Sequence, residues 1–403
     1  MEDLTQKILE SVDEQRGRMK EIADKIWELA ELGGKEFESS AMLMDELERG
    51  GFAVERGLVG KSPGTGAACD MPTAFKATLG DDGGPSVGIM LEYDALPNGH
   101  SCGHNLIAAA GLSAALALRS VFDKIPGRLV VMGTPAEEGG APGKTEILHA
   151  GHFGNLDAVI MAHPSDRWNT GSRFLSIVQP KGGGIVFRGA PSHASSEPER
   201  GRSALDAVLV FCNGIEFLRE HVRDGSRLHY VITNGGEAPN IVPDFASVNI
   251  YVRSEYPDEL ERIKKRVDDI IRGASLITDT TYEYEWDFPW YSPIKAPAFY
   301  ALVEECAGIA GVARDEFIDY DSFGSTDAGN VGLEFPLVHL DFRIAPLGTN
   351  WHSGDSAEAS RSEEGVCGMI KASKAMALSL YRIVADPGVR EKIKKDFVSG
   401  KNG

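Results

Sequence analysis

Cysteine is scarce in this chain: Cys69, Cys102, Cys212, Cys306 and Cys367 are five among 403 residues, odd in number and widely scattered. A disulfide framework of a secreted domain needs an even set at close spacing, so a reducing compartment is expected and the cytoplasm is the placement assigned. Net positive charge is lacking too. With a formal net charge of −19, the chain gains nothing from counterion release on nucleic acid or from an anionic lipid surface, and neither partner is expected. Met1 to Glu31 is charged and amphipathic, without the basic start and apolar core of a signal peptide. No run is read as long enough to span a bilayer. Short-period repeats and low-complexity tracts are likewise missing. What remains, 42% hydrophobic and 25% charged residues over a length of roughly two to three domains, is the composition of a soluble globular enzyme.

The stretch Leu91 to Leu106, LEYDALPNGHSCGHNL, organises the rest. An apolar strand, Ser86 to Tyr93, ends in a Pro-Asn-Gly turn that delivers Cys102, Gly103 and His104 to the start of an Ala-rich helix. Three other strands empty in the same way. Arg128 to Gly133 runs into Thr134-Pro135-Ala136-Glu137-Glu138-Gly139-Gly140, Asp157 to Ala162 runs into His163-Pro164, and Pro336 to Ile344 leads to Asn350-Trp351-His352-Ser353. Ligands of open α/β sheets bind beyond the carboxyl ends of strands. Taken singly, a Cys is usually a small buried hydrophobe and a His a hydrogen-bonded residue. The coincidence of Cys, His, Glu, Glu, His and His at four strand ends points to a metal site.

Elements follow from periodicity. Leu4 to Leu32 reads as a helix with apolar residues at helical spacing, and Ser39 to Gly51 as a second helix stopped by paired glycines. Strands at Ala74–Leu79 and Ser86–Tyr93 flank a Gly/Asp/Pro turn cluster, and helices at Leu106–Val121 and about Lys144–Ala150 alternate with strands. The fold class expected is α/β, a mostly parallel twisted sheet flanked by helices. At Pro180-Lys181-Gly182-Gly183-Gly184 the pattern changes to strand, helix, strands, helix, strand. Residues 1–181 and 294–403 are therefore expected to form a discontinuous catalytic domain, and 182–293 an inserted α+β domain.

The blocks DALPNGHSCGHN, GTPAEEGG, MAHP, RGAPSHAS, APNIVPD and NWHS, in this order over nearly the whole chain, resemble the amidohydrolase branch of the aminoacylase and carboxypeptidase G metallopeptidases. Hippurate, auxin-conjugate and p-aminobenzoyl-glutamate hydrolases belong to that branch. Asn105, where many members carry Asp, looks most like the p-aminobenzoyl-glutamate hydrolase and dipeptidase-like subgroup. The resemblance implies two divalent ions, zinc or manganese, held by Cys102, His104, Glu138, His163 and His352. It implies Asp94 as the carboxylate that orients a ligand histidine, and Glu137 as general base; spacing alone leaves the order of the two glutamates open. The insert becomes a lid that commonly forms a homodimer contact. His193 resembles a histidine that holds the developing oxyanion, and Asn240 and Arg253 look like substrate anchors. Asp327, in Gly324-Ser325-Thr326-Asp327, stands where relatives place an acidic pair facing the site.

The activity implied is metal-assisted hydrolysis of a C–N bond in a small N-acyl or N-aroyl amino acid or dipeptide. Trp168, Trp286, Trp290, Tyr291 and Trp351 are candidates for lining an aryl pocket. Two alternatives stay open: hydrolytic deamination of an amino-substituted aromatic acid, and a metal-bound binding protein that has lost the reaction.

Overall fold

A computed structural model describes residues 2–81, 83–122, 124–138, 143–171, 174–319 and 324–401. Helices α1 (Glu2–Leu29) and α2 (Phe37–Arg49) open the chain, followed by β1 (Ala53–Lys61), β2 (Ala68–Gly80), β3 (Ser86–Leu91), α3 (His104–Phe122), β4 (Arg128–Gly133), α4 (Gly143–His149) and β5 (Ala158–Ser165). Then come β6 (Ser176–Val178), β7 (Ile185–Arg188), α5 (Ala204–Arg219), β8 (Arg227–Asn234), β9 (Phe245–Ser254), α6 (Pro257–Thr278) and β10 (Thr281–Glu283). The chain closes with α7 (Pro297–Ile309), α8 (Ala328–Glu334), β11 (Leu337–Arg343), α9 (Gly354–Ala359), α10 (Glu363–Ala385) and α11 (Pro387–Lys401).

Two compact units emerge. The first comprises Met1–Arg173, Pro293–Ser322 and Asp327–Gly403; the second comprises Phe174–Ser292 and Phe323–Thr326. In the first, a six-stranded sheet runs β1-β2-β4-β3-β5-β11. Strands β4, β3, β5 and β11 are parallel, and β2 and β1 extend the sheet antiparallel at one edge. All six residues of β3 are buried, the pattern of a strand covered on both faces. Alternate residues serve two cores: Val87, Ile89, Leu129, Val131, Ile160 and Leu340 pack with α1, α3 and α10, while Met90, Val130, Met132, Val159 and Met161 form the other.

Helix α3 is long and apolar enough to cross a membrane by length and composition, which corrects the expectation that no run was. Its side chains are almost all buried between sheet and helices, so its apolar character is that of a core helix. Trp168 joins the same core, 2% exposed and tilted against Phe317 and Phe342, rather than lining a pocket.

The second unit is an antiparallel sheet in which β9 pairs with β8 along one edge and with β6 and β7 along the other, with β10 beyond β7. Val248, Ile250 and Val252 alternate inward and pack with Val208, Phe211, Ile263 and Val267 of α5 and α6. Ser203 caps α5 by accepting the backbone N–H of Asp206 at 3.1 Å.

Candidate metal centre

The four parallel strands of the first unit end on one edge, and their exits carry the chemistry. Beyond Leu91 the chain passes Glu92, Tyr93 and Asp94 and turns through Gly103, whose φ of +75° suits glycine. A Cβ there would lie 2.8 Å from Pro164, so the Cys102–His104 turn sits directly on the end of β5. Cys102 Sγ lies 3.5 Å from His163 Nε2. Each histidine is tautomerically fixed: His104 donates Nδ1–H to Asp94 Oδ1 at 2.8 Å, and His163 donates Nδ1–H to the Pro164 carbonyl at 2.8 Å. In each ring it is therefore Nε2, and not Nδ1, that faces the cluster.

Glu137 and Glu138 follow β4 through Ala136, a non-glycine residue at φ +64°. Glu36 holds that strained turn: its buried carboxylate accepts the N–H of Ala136 at 2.8 Å, the N–H of Gly34 at 2.9 Å and the hydroxyl of Thr73 at 2.8 Å. Asp94 Oδ2 accepts the Glu138 N–H at 2.8 Å, so a single carboxylate fixes both His104 and Glu138. Glu138 Oε1 then lies 3.7 Å from His104 Nε2 and 3.7 Å from His352 Nε2. His352 is also at positive φ, +57°, and its carbonyl accepts Asn98 Nδ2–H at 2.9 Å.

Donor atoms of Cys102, His104 and His163 lie within 4.8 Å of one another, as do those of Cys102, Glu138 and His352, and those of His104, Glu137 and Glu138. His104 Nε2 and Glu138 Oε1 are buried and accept or donate no hydrogen bond. Orphaned buried donors of this kind, with thiol, imidazole and carboxylate together, fit divalent cations. Electrostatics acts differently on the three donors. Burial, with His339 beside it, pushes the His163 pKa down to about 4, so the ring is neutral and able to ligate at pH 7. Burial pushes the Cys102 thiol up, which a bound cation would reverse. At His104 burial opposes the imidazolium, but the charges of Asp94 and Glu92 outweigh it and hold the pKa well above its usual value.

Other polar residues singled out by the sequence have the following partners. Asn105 is buried and donates to the Ala23 and Ser360 carbonyls at 3.3 and 2.9 Å, so its amide ties α3 to its neighbours. His100 is buried in the turn and donates Nε2–H to the Ile26 carbonyl at 2.9 Å. His193, Asn240 and Arg253 lie in the second unit. His193 is exposed and bridges Ile241, its Nδ1 accepting from Ser195 Oγ at 3.2 Å, and Ala194 N–H donates to the Asn240 carbonyl at 3.0 Å. Arg253 is half-buried, with Nη1 3.4 Å from Ser325 Oγ. Asp327 is fully buried, and Lys144 engages both oxygens, its ammonium at 2.5 Å and its backbone N–H at 2.8 Å.

Reading the sequence did not find Glu36, Glu92 or Lys144. Glu92 carried a signal, standing two residues before Asp94 at a strand end and therefore on the same side of an extended segment. The other two look like ordinary surface charges in the sequence.

The model of "Peptidase family M20/M25/M40" matches residues 89–369. The chain belongs to this peptidase family. It is 33% identical over 418 residues to a mouse (Mus musculus) Xaa-Arg dipeptidase, covering 98% of this chain and 93% of that one. It is 36% identical over 474 residues to one of the subunits of p-aminobenzoyl-glutamate hydrolase from Escherichia coli K12, covering 98% and 95%. A dinuclear metal-binding peptidase of the M20 family from Bacillus subtilis superposes with a TM-score of 0.68 at 18% identity, covering 91% of this chain and 98% of that chain. As an M20 member the chain is a hydrolase of amide or peptide bonds, and the mostly parallel sheet flanked by helices is the fold of its structural neighbours.

Proposed function

We propose that this M20 hydrolase cleaves the amide bond of a small N-acyl or N-aroyl amino acid or dipeptide with the help of two divalent ions. The observation that carries the reading is the convergence of Cys102, His104, Glu138, His163 and His352 around buried donor atoms that the protein itself leaves unpaired. These five residues would hold the ions, zinc or manganese. Bound there, two such ions polarise a carbonyl and lower the pKa of a nearby water.

The chain's own groups supply the rest. Asp94 keeps the His104 proton on Nδ1 and so keeps Nε2 open. Burial and the charge of Glu92 raise the Glu137 pKa well above that of a free carboxylate, which suits a group that takes a proton from water and returns it to the leaving nitrogen near neutral pH. His193 is assigned to the developing oxyanion, Asn240 and Arg253 to the substrate's polar groups, and Arg253 to a carboxylate in particular. The second unit is assigned the lid and homodimer contact. Five free thiols support a reducing, cytoplasmic setting. The names of the mouse and E. coli relatives support the substrate class.

The test is metal content together with hydrolysis of N-acyl amino acids, p-aminobenzoyl-glutamate and dipeptides, for the natural chain and for Glu137→Gln. About two ions per chain are expected, an amine or amino acid is the expected product, and Glu137→Gln should lose about 10²–10⁴-fold in kcat. Ammonia as the product would establish deamination instead. A full complement of metal with no turnover on the whole panel would sink the amidohydrolase reading.

A further inference from the structure

Directly behind the base lies a buried charge cluster to which the proposed reaction gives no part. Lys144, at the start of α4, has no exposed surface. Its ammonium stands 2.5 Å from Asp327 Oδ1 and 2.7 Å from Glu92 Oε1. Asp327 opens α8, and its second oxygen accepts the Lys144 N–H at 2.8 Å, so the lysine is anchored at both ends. Oxygen atoms of Glu92, Glu137 and Asp327 lie within 4.8 Å of one another. Three carboxylates thus share one pocket around a single fixed ammonium.

Glu92 is the singular member. It is 1% exposed, and although Lys144 pairs with it by charge, neither of its oxygens makes a hydrogen bond of good geometry. The Lys144 ammonium compensates the Glu92 charge through Oε1, but Oε2 is buried with no hydrogen-bond donor of its own, and natural cores seldom leave such an atom where it only fills space. That oxygen stands 3.5 Å from His104 Nε2, the atom left open for a cation. Glu92 therefore spans from the lysine to the face of the metal centre, with Glu137 in the same cluster.

We infer that Glu92, held by the Lys144–Asp327 anchor, is a positioning residue for hydrolysis: it fixes where Glu137 and the open face of His104 stand relative to each other. This rests on the amidohydrolase reading above. Lys144 acts through Glu92, and neither touches substrate. A displacement of about 1 Å in a catalytic group costs on the order of 10²-fold in rate, so losing Glu92 should appear in kcat and not in KM.

The test compares the natural enzyme with Glu92→Gln, Lys144→Met and the double variant, measuring kcat, KM, bound metal per chain and thermal midpoint. Glu92→Gln keeps the shape and removes one charge from a crowded acidic pocket. It is expected to lose about 10²-fold in kcat, with KM within about threefold, full metal content and a midpoint no lower than wild type. If Lys144 works through Glu92, adding Lys144→Met to Glu92→Gln should cost much less kcat than Lys144→Met costs alone.

Wild-type kcat in Glu92→Gln overturns the inference. So does a parallel loss of metal and activity that excess metal restores, because Glu92 would then be a ligand. Should Glu92→Gln fail to fold, Glu92→Asp decides: retracting the carboxylate by one methylene must lower kcat at full metal content, and unchanged kcat overturns the proposal. An inactive wild-type enzyme would instead fail the amidohydrolase reading, which keeps the two apart.

Discussion

Replacing Asp94 by Asn alters almost no shape and removes one acceptor. In the natural chain Oδ1 takes the proton of His104 Nδ1 and Oδ2 takes the backbone N–H of Glu138, each at 2.8 Å. Both partners are donors and Asp94 is 1% exposed, so no solvent can step in. An amide offers one acceptor oxygen and one NH2. One contact must therefore set donor against donor. If the NH2 faces His104, the imidazole moves its proton to Nε2 and closes the lone pair that stands 3.7 Å from Glu138 Oε1. If it faces Glu138, the turn carrying both glutamates loses its anchor. A buried donor left unpaired costs about 1–3 kcal/mol, or about 5- to 150-fold in an equilibrium constant. That matches the roughly 10–100-fold typical of removing the carboxylate that orients a metal-binding histidine. Competition with a chelator of known affinity, for zinc and for manganese separately, reads the loss, and circular dichroism confirms that the variant is folded. A folded Asp94→Asn chain with wild-type metal affinity would refute the assignment of Asp94 and the tautomer argument with it.

Glu36→Ala should lower the urea midpoint, because the buried Ala136 N–H loses its acceptor at a cost of about 1–3 kcal/mol, and should lower kcat as the Ala136 turn relaxes; an unchanged midpoint would contradict it. Metal affinity should rise with pH between about 6 and 8. The sign follows from His104, where burial is outweighed by Asp94 and Glu92, so the metal-free ring holds a proton that a cation must displace, and from Cys102, whose thiol burial pushes up. Each proton released contributes up to about tenfold per pH unit; calorimetry in buffers of different ionisation enthalpy counts those protons, and zero released at pH 7 would contradict the reading.

Much of this architecture was legible because burial on both faces writes itself into a strand. Arg128–Gly133 was read with its observed bounds, and Ser86–Leu91 ended two residues early, at the point where Glu92 and Asp94 turn toward the site. Strand β6 was missed since three residues carry no periodicity, and β2 was read short because its first half is half-exposed and extends only to pair with β1 across a bulge between Arg56 and Leu58. The first of the first unit's three stretches ends at Arg173, and β6 pairs within the second unit's sheet. Helix α3 was read as a helix over Leu106–Val121, two residues short at its start and one at its end, and its apolar run is that of a core helix.

The ligand-type residues of the site were legible as a set, because thiol, imidazole and paired carboxylate at strand exits have little other use. What surrounds them was not, because a buried charge is defined by tertiary structure alone. Glu92, Asp94, Glu137, Glu138 and Asp327 gather where the described residues place one ammonium, that of Lys144. Like charges brought together in a poorly solvated pocket repel strongly unless cations or protons join them. The raised pKa values of His104 and Glu137 are the proton answer to that surplus. Divalent cations would be another, and under the proposed reading the acidity that would hold them is the same acidity that would tune Glu137.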